Sequence, residues 1–225
     1  VALVLGVTVM FISKQVYQTL ENKMQHELEE SVRLTATLVE SYNGQLERTA
    51  QILGSSFSST LAGPLALDDS KSVVVAGIET PSLKAANVVL NGDDKLVDQF
   101  TQTTGAVATI FARSQDDFVR IATSVTDPSG KRVLGTKLAR TSPAYAALLR
   151  GEAYTGKVLL FGRYYMADYR PIFDTAKQVV GVAFIGLDFT QSLQGLKAKI
   201  QAVKIGETGY IYALEATPGA DQGKL

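Results

Sequence analysis

The 225-residue chain has no cysteine, no tryptophan, one histidine and six prolines. Without cysteine there is neither a disulfide framework nor a thiolate metal site, which fits any compartment. A single histidine leaves little room for zinc sites or for nucleophiles that need a histidine base. That histidine, His26, sits beside Glu27, Glu29 and Glu30 on a helical stretch, where solvation suffices to explain it. There is no excess of either charge: 22 basic and 22 acidic residues give a net charge of zero. No basic stripe marks a nucleic-acid partner. No GxGxxG or GxxxxGK[ST] pattern marks a nucleotide site. The pairs Asp68-Asp69, Asp93-Asp94 and Asp116-Asp117 lack the graded oxygen spacing of a calcium loop and are expected in turns. No catalytic constellation assembles, so a non-enzyme without cofactor or metal is expected.

What is present begins with twelve uncharged residues, VALVLGVTVMFI. This run is too short to span a bilayer alone and is taken as the end of a transmembrane helix, 1–12. A signal-peptide core would call for a small-residue cleavage site, and Ser13-Lys14-Gln15-Val16 follows instead. Residues 13–60 hold no proline and keep helical periodicity. Val32, Val39, Leu46 and Leu53 fall seven apart, with Leu28, Thr35, Tyr42 and Thr49 as the companion row. The spacing predicts a long stalk helix with a seam for another helix, supplied by a second copy in a homodimer through the stalk or by the helix's own chain. Ala62-Gly63-Pro64 ends it.

Residues 61–190 follow as one unit of mostly antiparallel strands, an α+β arrangement. KSVVVAGIE is ambiguous between helix and strand, and Pro81 is expected to end it. Asn91-Gly92-Asp93-Asp94 and Ser114-Gln115-Asp116-Asp117 are expected as hairpin turns. SPAYAALLRG predicts a short helix with Ser142 as N-cap, Pro143 at N1 and Gly151 as stop. GKVLLFG and QVVGVAFIGLDF are strands. FGRYYMADYRPI lies between them as a connection rich in aromatic hydroxyls and guanidinium groups, and would form a cover. Residues 191–204 are a linking helix, and 205–225 open a second unit that is cut short.

The candidate chemistry starts at the strand Phe118–Val125. Alternation puts Phe118, Arg120 and Ala122 on one face and Val119, Ile121 and Thr123 on the other. Both faces are apolar, so Arg120 is expected to be partly buried, and a buried guanidinium needs an anion. Its planar fork suits a carboxylate. Asp168 and Asp174 are possible internal partners. Tyr165 and Tyr169, four apart, share a face if extended and could wall a small anion site. Tyr145 is a weaker candidate that could simply anchor its loop.

The runs ATIFARSQDDFVRIATSV, KRVLGTKL, SPAYAALLRGEAYTGKVLLFGRYYMADYRPIFD and GVAFIGLDF together resemble the Cache superfamily, in its Cache 3–Cache 2 form. The resemblance implies a PAS-like antiparallel sheet packed on a long N-terminal helix. It further implies an extracytoplasmic ligand-sensing domain of a bacterial inner-membrane chemoreceptor, facing the periplasm. A short carboxylate such as acetate, propionate, lactate or pyruvate would be the ligand. By position, Arg120 would hold the carboxylate, with Tyr165, Tyr169 and Tyr145 lining the pocket. The sequence leaves open a sensor-kinase or cyclase input domain, an amino-acid sensor using Asp168 or Asp188 for the ammonium, and a membrane-anchored module without ligand. On this resemblance IGETGYIYALE would be the first strand of the second module.

Overall fold

Proline is absent from the first sixty residues, and one α-helix, α1, runs from Ala2 to Thr60. The structure, a computed structural model, describes residues 2–61, 63–205 and 209–210. The chain divides into two compact units, residues 44–192 and residues 1–43 with 193–225.

The unit of residues 44–192 takes the last part of α1 as a backing helix. After it come β1 (Leu65–Val75), β2 (Ile78–Ala85) and β3 (Val88–Val89), an antiparallel three-stranded sheet in that order. Next is α2 (Lys95–Thr104). Then follow β4 (Val107–Ser114), β5 (Asp117–Thr123), α3 (Pro143–Leu149), β6 (Tyr154–Leu160), β7 (Arg163–Phe173) and β8 (Val179–Asp188). The five later strands form an antiparallel sheet, ordered β5-β4-β8-β7-β6. The expected α+β class, a PAS-like sheet on a long helix, is the one observed.

Alternation gives this sheet two buried faces. One carries Ala108, Ile110, Ala112, Met166, Asp168, Ala183 and Ile185, and meets α1 and α2. Phe57 of α1 and Phe100 of α2 stack there with ring centroids 4.9 Å apart. The opposite face carries Phe111, Phe118, Ala167, Tyr169, Val182 and Phe184. These join Val125, Val133, Leu138, Tyr145 and Leu148 from α3 and the segment of residues 124–142 in one hydrophobic cluster.

Three local expectations are corrected. Pro81 does not end its segment but sits inside β2, opposite Ser72 and beside a register shift in β1. β3 pairs only with Lys84 and Ala85, so at Pro81 the strand has no second neighbour that needs the missing N–H. Residues 95–104 form a helix instead of the far arm of a hairpin. Val97 and Phe100, three apart, are buried on one side, Asp98 lies in the first turn, and Gly105 closes the end in the left-handed region at φ 74°. FGRYYMADYRPI is not a cover: residues 163–173 are β7, hydrogen-bonded to β6 on one side and β8 on the other. Only Phe161 and Gly162, with φ of 52° and 80°, make the turn before it.

In the unit of residues 1–43 and 193–225, α1 half-buries Ser31, Thr35, Val39 and Tyr42, a row at spacings of three and four. Tyr17, Leu20, Met24 and Leu28 are exposed. No helix among the described residues is long and apolar enough to cross a membrane. The helix expected at residues 191–204 is α4 (Thr190–Gln201), with Ile200 buried. β9 (Lys204–Ile205) and β10 (Gly209–Tyr210) pair antiparallel. The second module expected over 205–225 lies, apart from residues 205, 209 and 210, outside the described residues.

Candidate functional site

Arg120 stands near the middle of β5, an edge strand whose outer side is covered by its own downstream segment. The Arg120 amide donates to the Thr136 carbonyl at 2.9 Å, and the Gly135 amide donates to the Arg120 carbonyl at 2.9 Å. Leu138 likewise donates to Phe118, and Val119 bridges Lys137. Residues 133–138 therefore lie against β5 and bury Arg120 to 9% exposure.

Register determines what shares its face. Phe111 pairs directly with Arg120, and its ring lies under the guanidinium at 5.0 Å from centroid to Cζ. Between Ile110 and Phe111 the ladder shifts, so Ile121 is an extra residue on β5. This bulge reverses the alternation beyond it. Ala122 now pairs with Ile110, on the far face. Thr123 pairs with Thr109, on the face of Phe111 and Arg120. The expected placement of both residues is thus inverted. The Thr123 hydroxyl is taken up locally by Thr109, oxygen to oxygen at 2.6 Å.

The guanidinium is half satisfied. Nη1 donates to Thr136 Oγ1 and, at 3.3 Å, to the Val133 carbonyl. Nε is buried without a partner among the described residues. No acidic side chain among the described residues pairs with Arg120. Asp168 accepts from Arg170 at 2.6 Å on the opposite face, and Asp174 caps its own turn by accepting from the Gln178 amide. Burial, partly offset by Tyr169, pushes the Arg120 pKa down to about 10, so the charge persists at neutral pH.

Tyr169 is the second member. It is 4% exposed, tilted against Phe184 at 4.8 Å and Tyr154 at 6.4 Å. Burial raises its phenol pKa to about 12, Arg120 lowers it and Tyr154 raises it. Unlike Tyr145, Tyr169 donates no hydrogen bond to another described residue. Tyr145 packs edge-on to Phe118 and gives its hydroxyl to the Asp116 carbonyl. Its role there is to anchor α3 to the β4–β5 turn.

Tyr165 shares the face of Tyr169, as the spacing of four requires, and is buried. Its row, however, is Val158–Tyr165–Asp188, whereas the row of Arg120 crosses β7 at Pro171. Six residues of strand, about 20 Å, separate the two rows along β7. The structure thus brings Arg120, Tyr169 and Tyr145 into one core and leaves Tyr165 toward the other end of the sheet. Tyr164 and Arg163 are exposed, and Arg163 pairs with Asp188 at 3.1 Å.

Between these ends the face carries small residues, Gly156, Ala167 and Gly186, in one row. A β-carbon at Gly156 would come within 2.6 Å of the Tyr154 hydroxyl, and one at Gly186 within 3.1 Å of Phe184 and of Tyr165. The glycines let these rings lie down on the sheet, so the face is filled by aromatic rings.

The Arg120 signal was visible as a guanidinium in an apolar strand. Thr136, Val133 and Phe111 were missed. The GTKL run holding Thr136 was recognisable, but nothing local says that it folds back onto β5.

A family model described as the Cache 3/Cache 2 fusion domain matches residues 13–225. No match appears among curated proteins. Among solved structures, the sensory domain of the Campylobacter jejuni chemoreceptor Tlp3 (CcmL) is 10% identical with a TM-score of 0.39, covering 83% of this chain and 66% of that one. The periplasmic sensory domain of C. jejuni Tlp1 is 13% identical with a TM-score of 0.38, covering 76% and 61%. The E. coli DcuS sensor domain is 18% identical with a TM-score of 0.34, covering 46% and 71%. The chain thus spans less than two thirds of the length of the two C. jejuni domains.

Proposed function

From the premise that the chain belongs to the Cache 3/Cache 2 fusion domain family, we propose that it is the extracytoplasmic ligand-sensing part of a membrane receptor and binds a short monocarboxylate. The observation that carries this reading is the unfinished coordination of Arg120. A buried charge is ordinarily paired, and this one has no acidic partner among the described residues. With Nη1 engaged, Nε and Nη2 remain. These two N–H groups form one edge of the fork and match the two oxygens of a carboxylate. The unpaired Tyr169 hydroxyl offers a third donor. Two donor-only N–H groups of a cation beside a phenol that can donate favour an anion.

Acids of two to four carbons, such as acetate, propionate, lactate or pyruvate, are the candidates that the resemblance to Cache modules implies. Amino acids fit less well, because the aspartates that could take an ammonium are engaged. Asp168 faces α1, and Asp188 accepts from Arg163 and from the Thr190 amide. The exposed row Tyr17, Leu20, Met24 and Leu28 supports pairing of α1 with a second copy.

Isothermal titration of the 225-residue chain with these acids and with alanine tests the reading. At least one acid is expected to bind more tightly than alanine, and Arg120→Lys to weaken it by at least about tenfold, because lysine lacks the fork. Failure of all acids to bind, or an unchanged affinity in Arg120→Lys, would overturn it.

A further inference from the structure

We propose that Thr136 is a positioning residue: its hydroxyl fixes the rotation of the Arg120 guanidinium so that the Nε–Nη2 edge is the one presented to ligand. This rests on the carboxylate reading of the site and adds the residue that makes Arg120 selective for a planar two-oxygen group.

Two constraints define how a guanidinium is held: the plane it lies in and its rotation within that plane. Phe111 supplies the first by lying beneath it at 5.0 Å. Thr136 supplies the second. Its Oγ1 accepts from Arg120 Nη1 and donates to the Val133 carbonyl at 2.9 Å, and that carbonyl also accepts from Nη1 at 3.3 Å. The three atoms close a triangle, so Thr136 Oγ1 has its own proton committed and must act as an acceptor toward Arg120. The backbone sets the triangle in place. Gly135, at φ 75°, makes the turn that aligns Thr136 with β5, and the Arg120 amide donates to the Thr136 carbonyl at 2.9 Å. The sequence-distant motifs FVRIAT and GTKL therefore meet at one side-chain contact.

The consequence is directional. With Nη1 tied, the guanidinium cannot turn its end-on Nη1–Nη2 pair toward a ligand without breaking two hydrogen bonds. It offers Nε and Nη2, and Nε is buried with no partner among the described residues. A side chain of the same shape without the hydroxyl would free the rotation, while the packing of the 133–138 segment on β5 would remain.

The test compares Thr136→Val, nearly isosteric but without the hydroxyl, with Thr136→Ser, which keeps it. Propionate is the probe, titrated calorimetrically into the full chain, with thermal unfolding recorded in parallel. Thr136→Val is expected to weaken propionate by about tenfold, the loss of one hydrogen bond to a charged group, and Thr136→Ser by less than about twofold. Equal affinity in Thr136→Val and wild type overturns the positioning role while leaving the carboxylate site standing. Equal weakening in both variants also overturns it, because the loss would then follow any change of packing at this position and not the hydroxyl. No binding of any C2–C4 acid by the wild type overturns the site and the role together. Should Thr136→Val not fold, nitrogen NMR of Arg120 in wild type and Thr136→Ser decides. Restricted rotation, seen as separate Nη signals in both, supports the role, and averaged signals in the wild type contradict it.

Discussion

Asp168 Oδ2 accepts from Arg170 Nε at 2.6 Å, on the face of β7 opposite Tyr169. Alternation makes the strand two-sided. Tyr169 faces the proposed ligand site, and its two neighbours face α1. Arg170 reaches on to the Gln51 carbonyl at 3.0 Å, and Thr155 donates to Asp168 at 2.8 Å. The strand that walls the site is the strand that grips the helix.

Removing Asp168 leaves Arg170 without its counter-charge. Asp168 is 1% exposed, but the Arg170 side chain is 29% exposed and can recover water. Asp168→Ala is therefore expected to destabilise by about 3 kcal/mol, the lower end for breaking a buried pair. Urea unfolding followed by circular dichroism measures it, and a loss below about 1 kcal/mol would show that the grip contributes little.

Glycine in a helix interior is ordinarily worth replacing, since alanine favours the helix by about 1 kcal/mol. Gly54 should be an exception. A β-carbon there would overlap the Asp168 carboxylate, so Gly54→Ala is expected to destabilise by about 1–3 kcal/mol through overpacking. Gly44 is the control, because its β-carbon would meet only the flexible end of Arg48 at 3.3 Å. Gly44→Ala should stabilise by up to about 1 kcal/mol. Equal signs in the two variants would contradict the close approach of α1 to Asp168.

Alkaline stability separates Arg120 from Tyr169. Between pH 10 and about 12 the folded protein keeps the Tyr169 proton that the unfolded chain has lost, so this phenol lowers stability as pH rises. Arg120 acts in reverse. Its folded pKa of about 10 lies below its ordinary value, so the unfolded chain holds a proton the folded protein has lost, and stability rises with pH. Measured against wild type over this window, Tyr169→Phe should gain stability with rising pH and Arg120→Met should lose it. Slopes of the same sign would show that the two groups are not buried as described.

Tyr145 should behave as an anchor. Tyr145→Phe removes the hydrogen bond to the Asp116 carbonyl and is expected to destabilise by about 1 kcal/mol. Propionate affinity should not change, and a lost affinity would return Tyr145 to the site.

Much of the fold could be read from local pattern. The proline-free run gave α1, and Ser142-Pro143 with Gly151 bounded α3. Apolar runs either side of Gln115-Asp116 gave the β4–β5 hairpin. The errors have local causes too. One extra residue at Ile121 flips the face of everything after it, and alternation along a single strand carries no sign of a bulge. KLVDQF mixes apolar and polar residues at spacings that suit strand or helix, and burial of Val97 and Phe100 against the sheet decides for helix. The aromatic and cationic side chains of residues 163–173 suggested a surface connection. They lie instead on a strand with both neighbours filled, where aromatic rings pack well. Arg120 was legible because a guanidinium amid apolar residues is rare. Its orientation was not, because Thr136 reaches it through pairing of residues far apart in sequence.

A crystal structure of the chain with propionate bound addresses the carboxylate site most directly. The expected result is a carboxylate with one oxygen within hydrogen-bonding distance of Arg120 Nε and the other of Nη2, and with the Tyr169 hydroxyl donating to it. Propionate bound elsewhere, or Arg120 turned to pair with a carboxylate of the protein itself, would contradict it.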